Sequence, residues 1–204
     1  MRKYDAVFFD LDGTLSESGE GILWCVRRTI EDLKIVVPEN FRLESFIGPP
    51  LADSFYRLGL DDEKVKFGVK TYKSYYDTKG KYMNKAYDGI KELLERLREK
   101  GYKLGVATSK YELFARQIID NIGLLQYFDF VSGATANAER QKKIDVLNYG
   151  IKNLGATPEN SALIGDTKFD AEGARLCGCG FVGVLYGYGT RKEMEAEGAV
   201  NFAE

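Results

Sequence analysis

Close to its start the chain reads Asp10-Leu11-Asp12-Gly13-Thr14-Leu15, directly after the apolar run Ala6-Val7-Phe8-Phe9. Carboxylates at the end of a buried strand are costly unless partnered, because loss of water disfavours the charged form. Alternation along an extended chain sends Asp10 and Asp12 to the same side. Such a pair suits one cation, one nucleophile and one proton carrier. An ordinary strand-to-turn junction also favours Asp and Gly, so the pair gains meaning only from what else reaches the same place.

The sequence has 204 residues and no histidine. Ser-His-Asp and Cys-His catalysis and histidine-ligated metals are therefore excluded. Any chemistry must rest on carboxylates, lysines, hydroxyls, thiols or a hard cation bound through oxygen. Cys25, Cys177 and Cys179 are too few for a disulfide framework and lack the partners of a structural zinc site. The net charge of -2 offers no general attraction to a nucleic acid polymer or an anionic membrane. No segment approaches membrane-spanning length. The expectation is a cytoplasmic monomer or homodimer acting on a small molecule.

Elements able to position such a site follow from the hydrophobic rhythm. Residues 4–9 read as a buried strand. From 16 to 80 the pattern is helical and polar, with Ile22, Leu23, Val26, Ile30 and Leu33 on one face and further helices at 51–58 and 61–76. No strand is expected there. Beyond residue 84 helix and strand alternate: helix 88–100 capped by Asp88, strand 103–107, helix 111–121, strand 128–131, helix 143–154, strand 162–165, helix 168–177, strand 181–185, and a last helix opened by the capping-box spacing of Thr190 and Glu193. Alternation implies parallel strands with crossover helices. The fold class is thus α/β, a doubly wound parallel sheet (residues 1–15 and 81–204) with an inserted all-helical domain (16–80). Gly178-Cys179-Gly180-Phe181-Val182-Gly183 matches a dinucleotide fingerprint in letters, but it follows a helix and runs into a strand, the reverse of a real one.

Ligands of doubly wound sheets sit at the carboxyl ends of the strands. Those ends carry Asp10, Asp12 and Thr14, then Thr108-Ser109-Lys110, then Gly165-Asp166-Thr167-Lys168-Phe169-Asp170, with Lys142-Lys143 opening a helix between them. Each has a bland alternative: Thr108 and Ser109 cap a helix, the lysines are solvated, Asp166 and Asp170 serve a helix start. Together they describe one crevice. Clustered carboxylates raise each other's pKa, and a divalent cation with a lysine relieves that conflict. Oxygen ligands suit Mg²⁺; hydroxyls, backbone N–H groups and a lysine suit phosphate.

In the order Asp-Leu-Asp-Gly-Thr, Thr-Ser-Lys, lysine, Gly-Asp-x-x-x-Asp, essentially the whole chain resembles the haloacid dehalogenase superfamily. It is most similar to its phosphatases with a helical cap after the first strand, of the phosphoglycolate phosphatase and 5′-nucleotidase type. The run Gly183 to Gly189 adds to that likeness. The resemblance implies Asp10 as nucleophile, forming an aspartyl-phosphate, and Asp12 as acid and then base. It implies Mg²⁺ held by Asp10, the Asp12 carbonyl and Asp166. Gly13, Thr14, Thr108 and Ser109 would bind phosphate. Lys143, which fits the family's Lys-x-Asp/Glu-Val spacing where Lys142 does not, would neutralise charge, and Asp170 would hold that lysine or a metal-bound water. Gly48, in Gly48-Pro49-Pro50, is the best candidate for a cap loop reaching the site. Tyr72, Tyr75 and Tyr76 either line the cap's inner face or pack within it. The implied substrate is a small phosphate ester, phosphoglycolate in the first reading. A nucleoside monophosphate, a mutase acting on sugar phosphates and a non-catalytic regulator on the same fold are the alternatives; a dehalogenase would lack an acid at position 12.

Overall fold

The computed structural model describes residues 3–137 and 139–204, so Met1, Arg2 and Ala138 lie outside it. The chain forms two compact units, one built from the residues up to Glu17 together with Lys85–Glu204, the other from Ser18–Asn84.

The first unit is organised by β1 (Ala6–Phe9), whose four residues are all buried. A strand apolar at every position, not alternate ones, belongs in the middle of a parallel sheet covered on both faces. There β1 lies, between β4 (Lys103–Tyr111) and β6 (Ser161–Gly165), in the order β5-β4-β1-β6-β7-β8. The ranges of the others are Phe130–Ala134 (β5), Gly180–Val184 (β7) and Phe202–Ala203 (β8), and every neighbouring pair is parallel. The chain runs outward from β1 to β4 and β5, then crosses back to β6 on the other side. This reversal is the topological switch point of a doubly wound sheet, where a crevice opens at the strands' carboxyl ends.

Two features depart from the sequence reading. Ser16–Glu17 (β2), in the stretch expected to lack strands, pairs antiparallel with Lys85–Ala86 (β3), and neither β3 nor β8 is among the expected strands. Two-residue pieces carry no periodicity to read. Second, β4 does not stop at Ala107. It continues to Tyr111 with a register shift against β5 between Ala107 and Tyr111.

In the second unit α1 (Gly19–Asp32), α2 (Leu51–Arg57) and α3 (Asp62–Thr78) surround an aromatic core. Phe46 and Phe55 meet edge to face at 5.1 Å, and Tyr72 stacks on Tyr76 at 5.6 Å. Tyr72 and Tyr76 are buried and Tyr75 hydrogen-bonds Asp32, so all three tyrosines make contacts inside their own unit.

The crossover helices of the first unit are α4 (Ile90–Glu99), α5 (Glu112–Asn121), α6 (Lys143–Asn153) and α7 (Lys168–Cys177), followed by α8 (Arg191–Ala196). Thr190 caps α8 through Glu193 N–H as expected. Asp88 does not cap α4; Gly89 takes that position with φ 80° and no side-chain cap. Cys177 ends α7 and Gly180 starts β7, so the Gly178–Gly183 run joins helix to strand. Among the described residues no helix is long and apolar enough to cross a membrane.

At the centre, Phe8 belongs to a cluster with Val146, Leu147, Ile151 and Leu163. Its ring faces two glycines: a Cβ on Gly105 would strike it, and one on Gly150 would lie 2.7 Å from Phe8 Cε1. Gly150 therefore lets α6 approach the sheet closely. Gly→Ala inside a helix ordinarily gains up to about 1 kcal/mol. Here the steric term reverses the sign: Gly150→Ala is predicted to cost about 1–3 kcal/mol in urea denaturation, and adding Phe8→Leu to recover part of it. A Gly150→Ala variant more stable than wild type would contradict this packing.

Candidate active site

The carboxyl ends of β1, β4 and β6 meet at the switch point. Asp10 follows β1 and is pinned by its N–H, which donates to Ile164 O of β6 at 2.9 Å. The chain then turns sharply: Gly13 N–H donates to Ser16 O, and Leu15 and Ser16 N–H both donate to Leu11 O. Gly13 sits at φ 85°, where a side chain is strained, and a Cβ there would also strike the Asp166 carboxylate. Asp166 follows β6 and is wholly buried. The Thr14 hydroxyl donates to its Oδ1 at 2.9 Å and Tyr188 N–H to its Oδ2 at 2.8 Å. Tyr186, on the same loop, donates its hydroxyl to Thr14 O at 2.9 Å.

Lys143, the first residue of α6, is buried, and its ammonium lies 2.7 Å from both Asp10 Oδ1 and Asp170 Oδ1. It also donates to Ala107 O at 3.0 Å. Asp170 divides its carboxylate: Oδ1 faces the lysine, while Oδ2 accepts from Thr167 N–H at 3.0 Å and Thr167 Oγ1 at 2.6 Å. The capping box of α7 thus aims the aspartate at Lys143.

Asp10, Asp166 and Asp170 offer oxygens all within 4.8 Å of one another. Burial is the main force on the first two: it pushes Asp10 up to about 6 despite Lys143, and Asp166 up to about 8, helped by the charges of Asp170 and Asp10. Burial opposes the charge on Lys143, but Asp10 and Asp170 outweigh it and hold the ammonium above its ordinary range. Asp10 Oδ1 and Asp170 Oδ1 have no directed hydrogen bond, only the ionic contact with Lys143. Counting Asp12, four carboxylates face two ammonium groups, Lys143 and Lys110. With all four ionised, the excess of two negative charges, held on oxygens alone, fits one hard divalent cation, which would displace the protons that burial favours.

Of the sequence candidates, Asp10, Asp12, Gly13, Thr14, Thr108, Lys143, Asp166 and Asp170 all lie in the first unit, at or beside these strand ends. Asp12's side chain does not join the acidic triad; it pairs with Lys110 at 2.9 Å. The Gly13 N–H and Thr14 hydroxyl are engaged within the turn and with Asp166. Thr108 is buried; its oxygen accepts from Lys110 N–H at 3.2 Å, so it does not cap α5, and Ser109 is exposed. Gly48 belongs to the second unit, at φ 104°. Lys110 and the run containing Tyr186–Gly189 belong to the motifs named from sequence but carry no site role there; the direction of Lys110 depends on the irregular end of β4, and the loop closes around Asp166. A Cβ on Gly187 would strike Asp166; the repeated Tyr-Gly pairs were the available signal.

A family model described as haloacid dehalogenase-like hydrolase matches residues 7–184. The chain belongs to that family. Among relatives, tyrosine-protein kinase PtkA of Mycobacterium tuberculosis is 37% identical over 183 residues, 90% of this chain and 62% of PtkA. The chain thus spans less than two thirds of that relative's length. A 5′-nucleotidase of Pseudomonas aeruginosa is 36% identical over 195 residues, 95% of this chain and 88% of the nucleotidase. A crystal structure described as a predicted phosphatase from Clostridium acetobutylicum superposes with a TM-score of 0.91 at 36% identity, covering 98% of this chain and 94% of the other.

Two predictions follow from these charges. Metal-free, the folded protein holds protons on Asp10 and Asp166 that the unfolded chain has lost above about pH 4. Bound protons in the folded state mean that stability falls as pH rises through the folded pKa values of about 6 and about 8. In chelator the melting temperature should drop between about pH 5.5 and about pH 8.5, and Mg²⁺ should raise it most at the alkaline end, displacing protons as it binds. A flat profile, or equal Mg²⁺ effects at both ends, would contradict the assignment. Lys143→Met leaves two buried carboxylates without their cation and should cost about 3–5 kcal/mol in denaturant titrations without metal.

Proposed function

We propose that the chain is a Mg²⁺-dependent phosphomonoester hydrolase working through an aspartyl-phosphate on Asp10. The observation that carries the reading is the buried Asp10 carboxylate at the switch point, ion-paired to Lys143 inside an acidic triad that fits a divalent cation. A nucleophile that must stay ionised and meet an anionic phosphate needs both forms of positive charge. Mg²⁺ would be held by Asp10 and Asp166 with the Asp12 carbonyl; when bound it neutralises phosphoryl charge and draws substrate oxygens toward the nucleophile.

A carboxylate oxygen of Asp10 attacks phosphorus, and the bond from phosphorus to the ester oxygen breaks. Asp12 gives its proton to that departing oxygen. Water then attacks phosphorus, Asp12 takes a proton from it, and the bond to Asp10 breaks, releasing phosphate. Lys143 stays beside Asp10 throughout, and Asp170 holds the lysine there. The Thr108 hydroxyl, which accepts from Lys110 N–H, keeps its own proton to donate to a phosphoryl oxygen. The helical unit Ser18–Asn84 acts as the cap that selects the leaving group, with Gly48 in its loop. The substrate is a small phosphorylated metabolite, with phosphoglycolate and nucleoside monophosphates the first to test. Asp10 and Asp12 together favour phosphoester over halide chemistry, because halide leaves without a proton.

Phosphate release would be followed from phosphoglycolate, nucleoside 5′-monophosphates, sugar phosphates and p-nitrophenyl phosphate, in Mg²⁺ and in chelator. Turnover should require the metal, fall more than about a thousandfold in Asp10→Asn, and fall about 10²- to 10⁴-fold in Asp12→Ala on substrates with poor leaving groups. Isomerised sugar phosphate without free phosphate would indicate a mutase. Transfer to a hydroxyl in place of water would align the chain with the kinase named among its relatives. A folded protein doing none of these would be a regulator, and the proposal would fail.

A further inference from the structure

The Lys110 side chain has no part in the scheme above, yet it is about as enclosed as that of Asp10. Its ammonium donates to Asp12 Oδ1 at 2.9 Å, with side-chain exposures of 11% for the lysine and 17% for the aspartate. An exposed ion pair of this type contributes little. An enclosed, charge-assisted one holds its geometry. The backbone prepares it: where β4 shifts register against β5, Lys110 N–H bonds the Thr108 hydroxyl at 3.2 Å, fixing the start of the lysine side chain beside the site. Irregularities of this type re-aim side chains next to active sites.

We propose that Lys110 is a positioning residue for Asp12, gripping one carboxylate oxygen so that the other is presented for proton transfer. The inference rests on the hydrolase reading, in which Asp12 protonates the departing oxygen and recovers a proton from water. Asp12 stands on a tight turn, two residues from the like charge of Asp10, which would drive it toward solvent. Lys110 opposes that displacement without touching phosphorus or the cation. The proton balance is unchanged: Asp12 loses one proton as the ester bond breaks and regains one as the acyl-phosphate is hydrolysed.

The test compares wild type, Lys110→Met, Lys110→Arg, Asp12→Asn and the double variant, each checked for folding by thermal melting. Two substrates are used: p-nitrophenyl phosphate, whose leaving group departs without a proton, and an alkyl phosphate, whose leaving group requires one. With the alkyl ester, Lys110→Met should lower kcat about 10- to 100-fold while KM changes less than about threefold. The p-nitrophenolate burst, measured by rapid quench, should fall much less. Lys110→Arg should restore most of the loss, and Lys110→Met should add little once Asp12 is already Asn, the signature of two residues acting as one unit. Equal losses for both leaving groups, an effect confined to KM, or additive losses in the double variant would overturn the proposal, and so would an unchanged Lys110→Met. If wild type releases phosphate from neither substrate and Asp10 is not labelled by beryllofluoride in Mg²⁺, the hydrolase reading itself has failed and this inference falls with it.

Discussion

One buried lysine governs the architecture of this site. Lys143 bridges Asp10 and Asp170 at 2.7 Å from each; the first contact ties α6 to the end of β1, and the second ties α7 to α6. Burying a carboxylate alone is unfavourable enough that it takes up a proton instead. A single ammonium between two carboxylates lets both sit inside while leaving a deficit of positive charge. On the proposed reading, the carboxylate charge that Lys143 leaves unbalanced is what a divalent cation would offset, and that cation would in turn attract the anionic phosphate ester.

The sheet topology makes the bridge possible. Because strand order reverses at β1, the loops after β1, β4 and β6 face one crevice with no strand connection running across it. The same reversal places β1 between two parallel neighbours, whose backbone bonds hold Asp10 against Ile164. Charge is thereby presented from a rigid base. The loop Tyr186–Gly189 extends that rigidity from the far end of the chain: Tyr188 N–H holds Asp166 and Tyr186 holds Thr14. The two acid-bearing turns are locked to each other and to a segment 22 residues beyond Asp166 and 172 residues beyond Thr14.

Much of this was legible in the sequence because its physics is local. An all-apolar run followed by Asp marks a central strand carrying a site, and both Asp10 and Asp166 obey that pattern. Helices long enough to show a stripe, α1, α3 and α6 among them, read clearly. What stayed hidden depends on contacts between distant segments. The two-residue ladder of β2 and β3 and the terminal β8 have no period of their own. The extension of β4 to Tyr111 arises from its pairing with β5, and the direction of Lys110 arises from that extension. Thr108 and Ser109 looked like caps because hydroxyls before a helix usually are; the strand continued instead and turned Thr108 inward. Gly187 is a glycine because Asp166 occupies the space a side chain would need, which only the folded chain reveals.

The site's internal bookkeeping also bears on where specificity must come from. Lys143, Asp170, Asp166, Thr14 and the Gly13 N–H all have partners within the first unit. Groups engaged in this way hold the machinery in place but have little capacity left to read a substrate. On the proposed reading, what these groups would recognise is charge, a phosphate and its cation, common to every phosphate ester. Discrimination between one ester and another would then be supplied by residues outside this network. On the proposed reading that task falls to the second unit, whose buried aromatics form its own core. Its recognition elements must then be loops and exposed groups, not the stacked tyrosines. A division of this type lets the reaction chemistry stay fixed while the substrate varies, because changes in such loops leave the buried charges of the first unit undisturbed.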